Sequence, residues 1–192
     1  MTHVWMVRHG PTHEKSFVGW RDVPADLSDA ELIARVDAYL PEDAEIIASD
    51  LQRASQTADA LSSRRNRLPD DPALREFDFG EWDGLHFSEV AARDPDLSRR
   101  FWEEPGDLAP PGGESWNKVA TRVNAVIDTL QSHYQGQDLI IVAHIGVIMT
   151  QIQRATDGDA YAAMGHQVDN LSTTDMRWTG QRWEIGKINH LP

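Results

Sequence analysis

The sequence predicts an α/β fold: a three-layer sandwich with a mostly parallel central sheet, helices on both faces and a small excursion over one end. Three observations carry this expectation. Short apolar runs at Val4–Val7, Glu45–Ala48 and Leu139–Ala143 read as strands buried on both faces. Each run is followed, directly or after a loop, by residues with helical spacing. Near the C-terminus, Thr173–Trp178 and Trp183–Ile188 flank a Thr179-Gly180-Gln181 turn, a hairpin signal that adds a partly antiparallel margin. At 192 residues the expectation is a single domain, 1–192, with residues 83–113 folding over it as a lid-like excursion.

The first run leads directly into Arg8, His9 and Gly10. That puts an arginine fork and an imidazole at the carboxyl end of a central strand, where open α/β sheets bind ligands. The polar loop from Pro11 to Pro24 is longer than an ordinary connection, which points to function. Ser28, with Glu31 three residues on, reads as a capping box for a helix bearing Leu32, Ile33, Val36 and Leu40, ended by Pro41. After the second run, Ser49 and Asp50 are N-cap candidates for a helix with Leu51, Ala54, Ala58 and Leu61 on one face. Arg53 falls in its first turn, and the free N–H groups expected there make an anion site.

Residues 66–73 read as a connection. The stretch from Leu74 to Gly84 mixes carboxylates with Phe77, Phe79 and Trp82. Aromatic neighbours desolvate a carboxylate and raise its pKa, which suits a general acid. Residues 88–100 read as partly helical with a break at Pro95, and Pro105–Gly113 as a loop. Trp116, Val119, Val123, Ile127, Leu130 and Tyr134 define a long helix beginning near Ser115 and closed by Gly136. The third run ends in His144, Ile145 and Gly146, and a helix follows to about Arg154. Trp102, Trp116 and the other tryptophans are read as packing residues.

Composition narrows the function. A formal charge of -13 argues against general nucleic-acid or anionic-membrane binding, so an anionic ligand needs a local island of positive charge. The absence of cysteine excludes disulfides, thiolate metal sites and cysteine nucleophiles. No apolar stretch approaches the roughly 20 residues of a membrane span, and the expected location is cytoplasmic. His9 and His13 lie four apart but in a loop containing Pro11, where that spacing makes no metal site.

Three strand ends therefore deliver Arg8 and His9, Ser49 with a helix carrying Arg53, and His144 to one edge of a parallel sheet. Two arginines, two histidines and a helix N-terminus form a pocket for a tetrahedral dianion, and a carboxylate from residues 76–83 supplies a proton. This is a set of groups for phosphoryl transfer through a histidine.

The chain resembles the histidine phosphatase superfamily, in the branch shared by phosphoglycerate mutases and small phosphatases such as α-ribazole phosphatase. Arg8-His9-Gly10-x-Thr12 is similar to the opening motif, and Ser49-x-Leu51-x-Arg53-Ala54-x-Gln56-Thr57-Ala58 to the second. Glu76-x-x-x-Gly80-x-Trp82-x-Gly84, Pro111-Gly112-Gly113-Glu114-Ser115 and Val142-Ala143-His144 complete the likeness. The resemblance implies His9 as nucleophile, Arg8, Arg53 and His144 as ligands of the phosphoryl oxygens, and Glu76 as acid and then base. It implies Thr12 and the Gly10 region as further donors, and no metal or other cofactor.

Lys15 stands where the family often has asparagine, and its charge preserves a phosphate contact. Ile145 follows His144 where glycine is common and narrows access. Arg21 is either a second anion contact or a solvated loop arginine. The expected function is a metal-independent phosphomonoesterase acting on a small phosphorylated metabolite, an α-ribazole-phosphate-type nucleotide or a sugar phosphate among the options. The alternatives are a phosphoglycerate mutase-type transferase and a non-catalytic phospho-ligand module. Glu81 and Asp83, if they line the mouth, disfavour the second anion that a mutase must hold.

Overall fold

A computed structural model describes residues 1–192. Its centre is a six-stranded sheet in the order β3-β2-β4-β1-β5-β6. β1 is His3–Arg8, β2 Ala44–Ala48, β3 Asn66–Arg67, β4 Asp138–Ala143, β5 Thr173–Trp178 and β6 Trp183–Ile185. β1 pairs in parallel with β4, as does β2 with β4 and with β3, whereas β5 runs antiparallel to β1 and β6 antiparallel to β5. The predicted hairpin is this antiparallel margin. β3, a two-residue edge strand, lies inside the stretch read from sequence as connection.

The three apolar runs occupy the middle of the sheet because they have no polar face to give to water. Val4, Met6, Ile47, Leu139 and Ile141 contribute to one core, and Val7, Ile46, Ala48, Ile140 and Val142 to the other. The first core packs against α5 (Trp116–His133) and α6 (Ile145–Thr156), through residues such as Val119, Val123, Ile127, Val147, Ile148 and Ile152. The second packs against α1 (Ala30–Tyr39) and α2 (Gln52–Ala60), through Val36, Ala54 and Ala58. The three layers expected from sequence are thus present.

α3 (Phe87–Arg93) and α4 (Pro95–Glu103) occupy the 83–113 stretch, and Pro95 stands in the first turn of α4. Proline is tolerated there because a first-turn N–H has no intrahelical partner. The short α7 (Ala160–Met164) follows α6.

Two caps differ from the sequence reading. α1 is capped by Asp29, whose side chain accepts from Leu32 N–H, and not by Ser28. At α2 the N-cap is Leu51, whose side chain has no hydrogen-bond acceptor to offer. A distant carboxylate does the work instead: Asp22 Oδ1 accepts from Gln52 N–H at 2.8 Å. Asp50, free of capping, pairs with Arg75 at 2.6 Å. α6 also runs two residues past Arg154, to Thr156, where Asp157 takes a left-handed conformation at φ 52°.

Register brings the functional ends together. Arg8 stands level with Ala143, and Ala48 level with Val142. The chain therefore leaves three adjacent strands at one height, at His9, His144 and Ser49. Backbone bonds continue past the strands: His9 N–H donates to Ala143 O at 3.0 Å and Ser49 N–H to Val142 O at 3.1 Å.

Candidate active site

A cavity of about 350 Å³ opens at this edge. Arg8, His9, Arg53 and Glu76 line it, with Thr12, Glu14 and Ser16 among the remaining polar residues. His144 lies directly beneath, fully buried, its ring centroid 5.1 Å from that of His9. Five residues separated by as many as 136 positions thus meet at one place, as the strand register requires.

His9 is held in one tautomer. Its Nδ1 lies 2.7 Å from Gly10 O, and a carbonyl can only accept, so Nδ1 carries the proton. The lone pair is then on Nε2. Burial lowers the pKa of His9 to about 3, and the charges of Arg53 and Arg8 push in the same direction against the Gly10 bond. The ring is therefore a neutral imidazole at physiological pH. Its backbone is fixed from the opposite side, where Asn170 Nδ2 donates to His9 O at 2.9 Å.

The arginines are tied at one end. Arg8 Nη1 donates to Val168 O at 2.6 Å, and Arg53 donates from Nη1 to Arg21 O at 3.0 Å and from Nη2 to Gly19 O at 2.7 Å. Arg53 thereby pins the long loop over α2. Four buried nitrogens at the site have no protein partner: Arg8 Nε, both ring nitrogens of His144, and Nε1 of Trp102, which also lines the cavity. Leaving such groups unpaired costs about 1–3 kcal/mol each, and Arg8 Nε and the His144 nitrogens lie close to the His9 ring, where a ligand oxygen can pair with them. Burial, then the nearby positive groups, holds the pKa of His144 well below the ordinary value. A bound dianion reverses that balance and makes the ring a donor.

Glu76 is 4% exposed, and burial raises its pKa despite opposing terms from two backbone N–H groups, Arg53 and Arg8. Its Oε1 accepts from Phe77 N–H at 2.9 Å and its Oε2 from Gly146 N–H at 3.3 Å. The helix N-terminus that enters the site is thus that of α6. The N-terminus of α2, expected to bind an anion, is already occupied by Asp22.

Gly10 contributes differently from the expectation. Its N–H donates to Thr57 Oγ1 at 3.0 Å, so that donor is engaged within the protein. Thr12 lines the cavity. Lys15 is exposed and does not line it, standing instead in a shallow neighbouring groove with Phe87 and Trp102. Arg21 is also outside: its guanidinium pairs with Glu14 at 3.2 Å and Asp83 at 3.4 Å. Glu81 pairs with Arg93. Glu81 and Asp83 therefore do not line the mouth, and the carboxylate that does is Glu14.

Several contributors were not visible in sequence. Arg122, on α5, donates to Glu76 O at 2.9 Å, to Arg75 O at 2.7 Å and to Ala73 O at 2.8 Å, and pairs with buried Glu114 at 2.8 Å. Glu114 in turn accepts from Asp78 N–H at 3.1 Å, so this ion pair clamps the acid-bearing segment. Trp20 Nε1 donates to Glu76 O at 2.8 Å. Trp102 and Trp116, read from sequence as packing residues, both line the cavity, as does Ile145.

Gly146 is constrained by closeness. A Cβ there would overlap Glu76 Oε1 and stand 2.5 Å from Phe77 Cδ2. Gly146→Ala should lower kcat/KM for alkyl phosphates by about 10²-fold, the scale of a displaced catalytic group, and lower it less for p-nitrophenyl phosphate, whose leaving group needs no proton. Equal losses on the two substrates would show that the glycine does not act through Glu76. The substitution favours helix formation, so a loss of this kind is not explained by α6 melting.

Nowhere in the structure are three or more His, Asp or Glu residues grouped to hold a metal ion, and no helix is long and apolar enough to cross a membrane.

The fold agrees with that of known proteins. The model of the histidine phosphatase superfamily (branch 1) matches residues 4–191. Bifunctional protein Rv2228c of Mycobacterium tuberculosis is 35% identical over 172 residues, which cover 81% of this chain but 44% of that longer protein. The glucosyl-3-phosphoglycerate phosphatase of Mycolicibacterium vanbaalenii is 34% identical over 74% of this chain and 69% of its own. The solved structure of Bacillus stearothermophilus YhfR superposes with a TM-score of 0.88 at 26% identity, over 96% of this chain and 95% of that one. On the match of its family model over nearly the whole length, the chain belongs to the histidine phosphatase superfamily.

Proposed function

We propose that the protein is a metal-independent phosphomonoesterase that works through a phosphohistidine at His9. The observation that carries this reading is the fixed tautomer of His9, which makes a neutral Nε2 the available nucleophile in a cavity shared with Arg8, Arg53 and Glu76, whose pKa burial raises. Nε2 attacks phosphorus, the N–P bond forms, and the P–O bond to the leaving group breaks. Glu76 gives its proton to the departing oxygen and becomes a carboxylate. Arg8, Arg53 and His144 bind the three phosphoryl oxygens and offset their charge where it builds up, the role that a metal plays in other phosphoryl-transfer enzymes. In the second half, Glu76 takes a proton from water, the hydroxide oxygen attacks phosphorus, and the N–P bond breaks. Inorganic phosphate leaves, and His9 and Glu76 return to their starting protonation states.

Water is the acceptor because the cavity offers no hold on a second anion. Arg21 is committed to Glu14 and Asp83, Lys15 is outside, and Glu14 is the charged residue at the outer part of the cavity. A mutase has to retain a bisphosphorylated intermediate while it reorients. The relative named as a phosphatase supports the same choice. Full turnover is expected in excess chelator, with free phosphate far exceeding any interconversion of 2- and 3-phosphoglycerate when the bisphosphoglycerate primer is supplied. Primer-dependent isomerisation with little free phosphate would establish the mutase reading. Loss of activity in chelator, restored by a divalent metal, would overturn the metal-free mechanism.

A further inference from the structure

Away from the phosphoryl-binding residues, the cavity is mostly apolar, with Thr12, Glu14 and Ser16 as its polar side chains. Ten of its 18 lining residues are hydrophobic. On one side the rings of Phe17 and Trp102 lie stacked at 6.0 Å with an 11° interplanar angle, and Phe17 meets Phe79 at 5.0 Å. Ile145, Met149 and Met164 supply flexible aliphatic and thioether surface. The remaining polar groups, apart from the Thr12 hydroxyl proton and Trp102 Nε1, have partners within the protein. Glu14 and Ser16 Oγ both accept from Arg21 Nη2, at 3.2 and 2.9 Å, and Thr12 Oγ1 accepts from Glu14 N–H.

From this lining we infer that the physiological substrate is a phosphomonoester of an uncharged, largely hydrocarbon alcohol, with a ring as the best-fitting form of the leaving group. The inference rests on the phosphatase reading and adds the substrate class to it. A carboxylate on the leaving group, as in phosphoglycerate or phosphoserine, meets Glu14 inside the cavity, whereas Lys15 stands outside it, in the groove that shares Ser16, Phe17 and Trp102 with the cavity. A polyhydroxylated sugar loses hydrogen bonds to water that Phe17, Phe79 and Met149 cannot replace, at about tenfold in rate for each. A hydrocarbon ring exchanges water for aromatic and thioether contact at no such penalty. Ligand sites commonly combine an apolar wall with a few fixed polar groups; here the buried charged groups serve the phosphate, so discrimination among substrates rests mainly on apolar burial.

The test is a comparison of kcat/KM within one leaving-group chemistry. Ethyl, butyl, hexyl and 2-phenylethyl phosphates all release alkoxides of similar basicity, as do 3-phosphoglycerate, phosphoserine and glucose 6-phosphate to a first approximation. The rate constant should rise about fourfold per added methylene until the cavity is filled, and 2-phenylethyl phosphate should exceed ethyl phosphate by about 10²-fold or more. The three polar metabolites should fall at or below ethyl phosphate. A flat alkyl series, or a polar metabolite outrunning 2-phenylethyl phosphate, would overturn the substrate class while leaving the phosphatase reading intact. Hydrolysis of none of the seven would overturn both. Met149→Lys places a cation in the apolar wall, and the ratio of 2-phenylethyl phosphate to 3-phosphoglycerate turnover should drop at least tenfold. Because a ratio is read, partial loss of folded protein cancels, and an unchanged ratio counts against the assignment.

Discussion

His9→Ala should abolish hydrolysis and leave the fold in place. The substitution removes the one side chain in the cavity that can present a neutral nitrogen lone pair to phosphorus, since both arginines are fully protonated and His144 lies beneath His9. Loss of the nucleophile in an enzyme that forms a covalent intermediate costs on the order of 10⁴-fold or more. Wild-type enzyme quenched during turnover should carry phosphate on His9 that is stable in alkali and labile in acid. A variant with near-native rates, or a wild type that never carries the label, would remove the covalent mechanism.

Stability gives a second readout. His9 titrates near its ordinary value of 6.5 when unfolded but at about 3 in the folded protein, because burial disfavours the imidazolium. Between these values the unfolded chain binds the proton and the native protein does not, so stability falls as pH drops from about 6.5 toward about 3. The alanine variant lacks this component. Its denaturation midpoint should therefore depend less steeply on pH over that window, a change that a purely structural defect would not produce.

The parts of the site legible in sequence are those carried by strand ends. A buried strand is recognisable from its apolar run, a parallel sheet aligns its carboxyl ends, and whatever follows each run arrives at one edge. Arg8, His9 and His144 were placed by that logic alone. Arg53 was found on the correct helix but for a partly wrong reason: the α2 N-terminus is filled by Asp22, 30 positions earlier, and only the guanidinium reaches the cavity. Arg21 and Lys15 looked like phosphate ligands because charge is visible in a sequence and partners are not. Arg21 finds Asp83 62 positions away, and that pairing exists only in the folded chain. The same limit hid the Arg122–Glu114 clamp behind Glu76 and the N–H that Gly146 donates to it.

The apolar wall was least visible of all. Phe17 comes from the first loop, Phe79 from the acid segment, Trp102 from α4, and Met149 from α6. No local pattern distinguishes such residues from core. Trp116 shows why: it is 2% exposed and donates to Gln153 at 2.6 Å, as a packing residue does, yet it also lines the cavity.

Glu76→Gln should slow alkyl phosphates by about 10²–10⁴-fold, the range of general acid catalysis, and p-nitrophenyl phosphate far less. An alkoxide leaves as a strong base and needs a proton as the P–O bond breaks, whereas nitrophenolate leaves unaided. Glutamine keeps the size and shape, but its single carbonyl oxygen can accept from only one of the Phe77 and Gly146 N–H groups, so the aryl substrate serves as the control that separates loss of the proton from the altered contact. The pH dependence sharpens the test. Burial raises the pKa of Glu76 above the ordinary carboxyl value, the nearby backbone N–H groups and arginines lower it, and burial prevails. The group must be protonated for the first chemical step, so kcat/KM for alkyl phosphates should decline as pH rises through this elevated pKa. His9 must be neutral, and with its pKa at about 3 it sets a limb only at much lower pH. In Glu76→Gln the descending limb assigned to Glu76 should vanish from the alkyl profile, leaving the ionisation of the substrate itself. With wild-type enzyme and aryl phosphate that limb should already be absent. A limb that survives the substitution, or equal losses on both substrates, would transfer the role of acid to Glu14, the other carboxylate that lines the cavity.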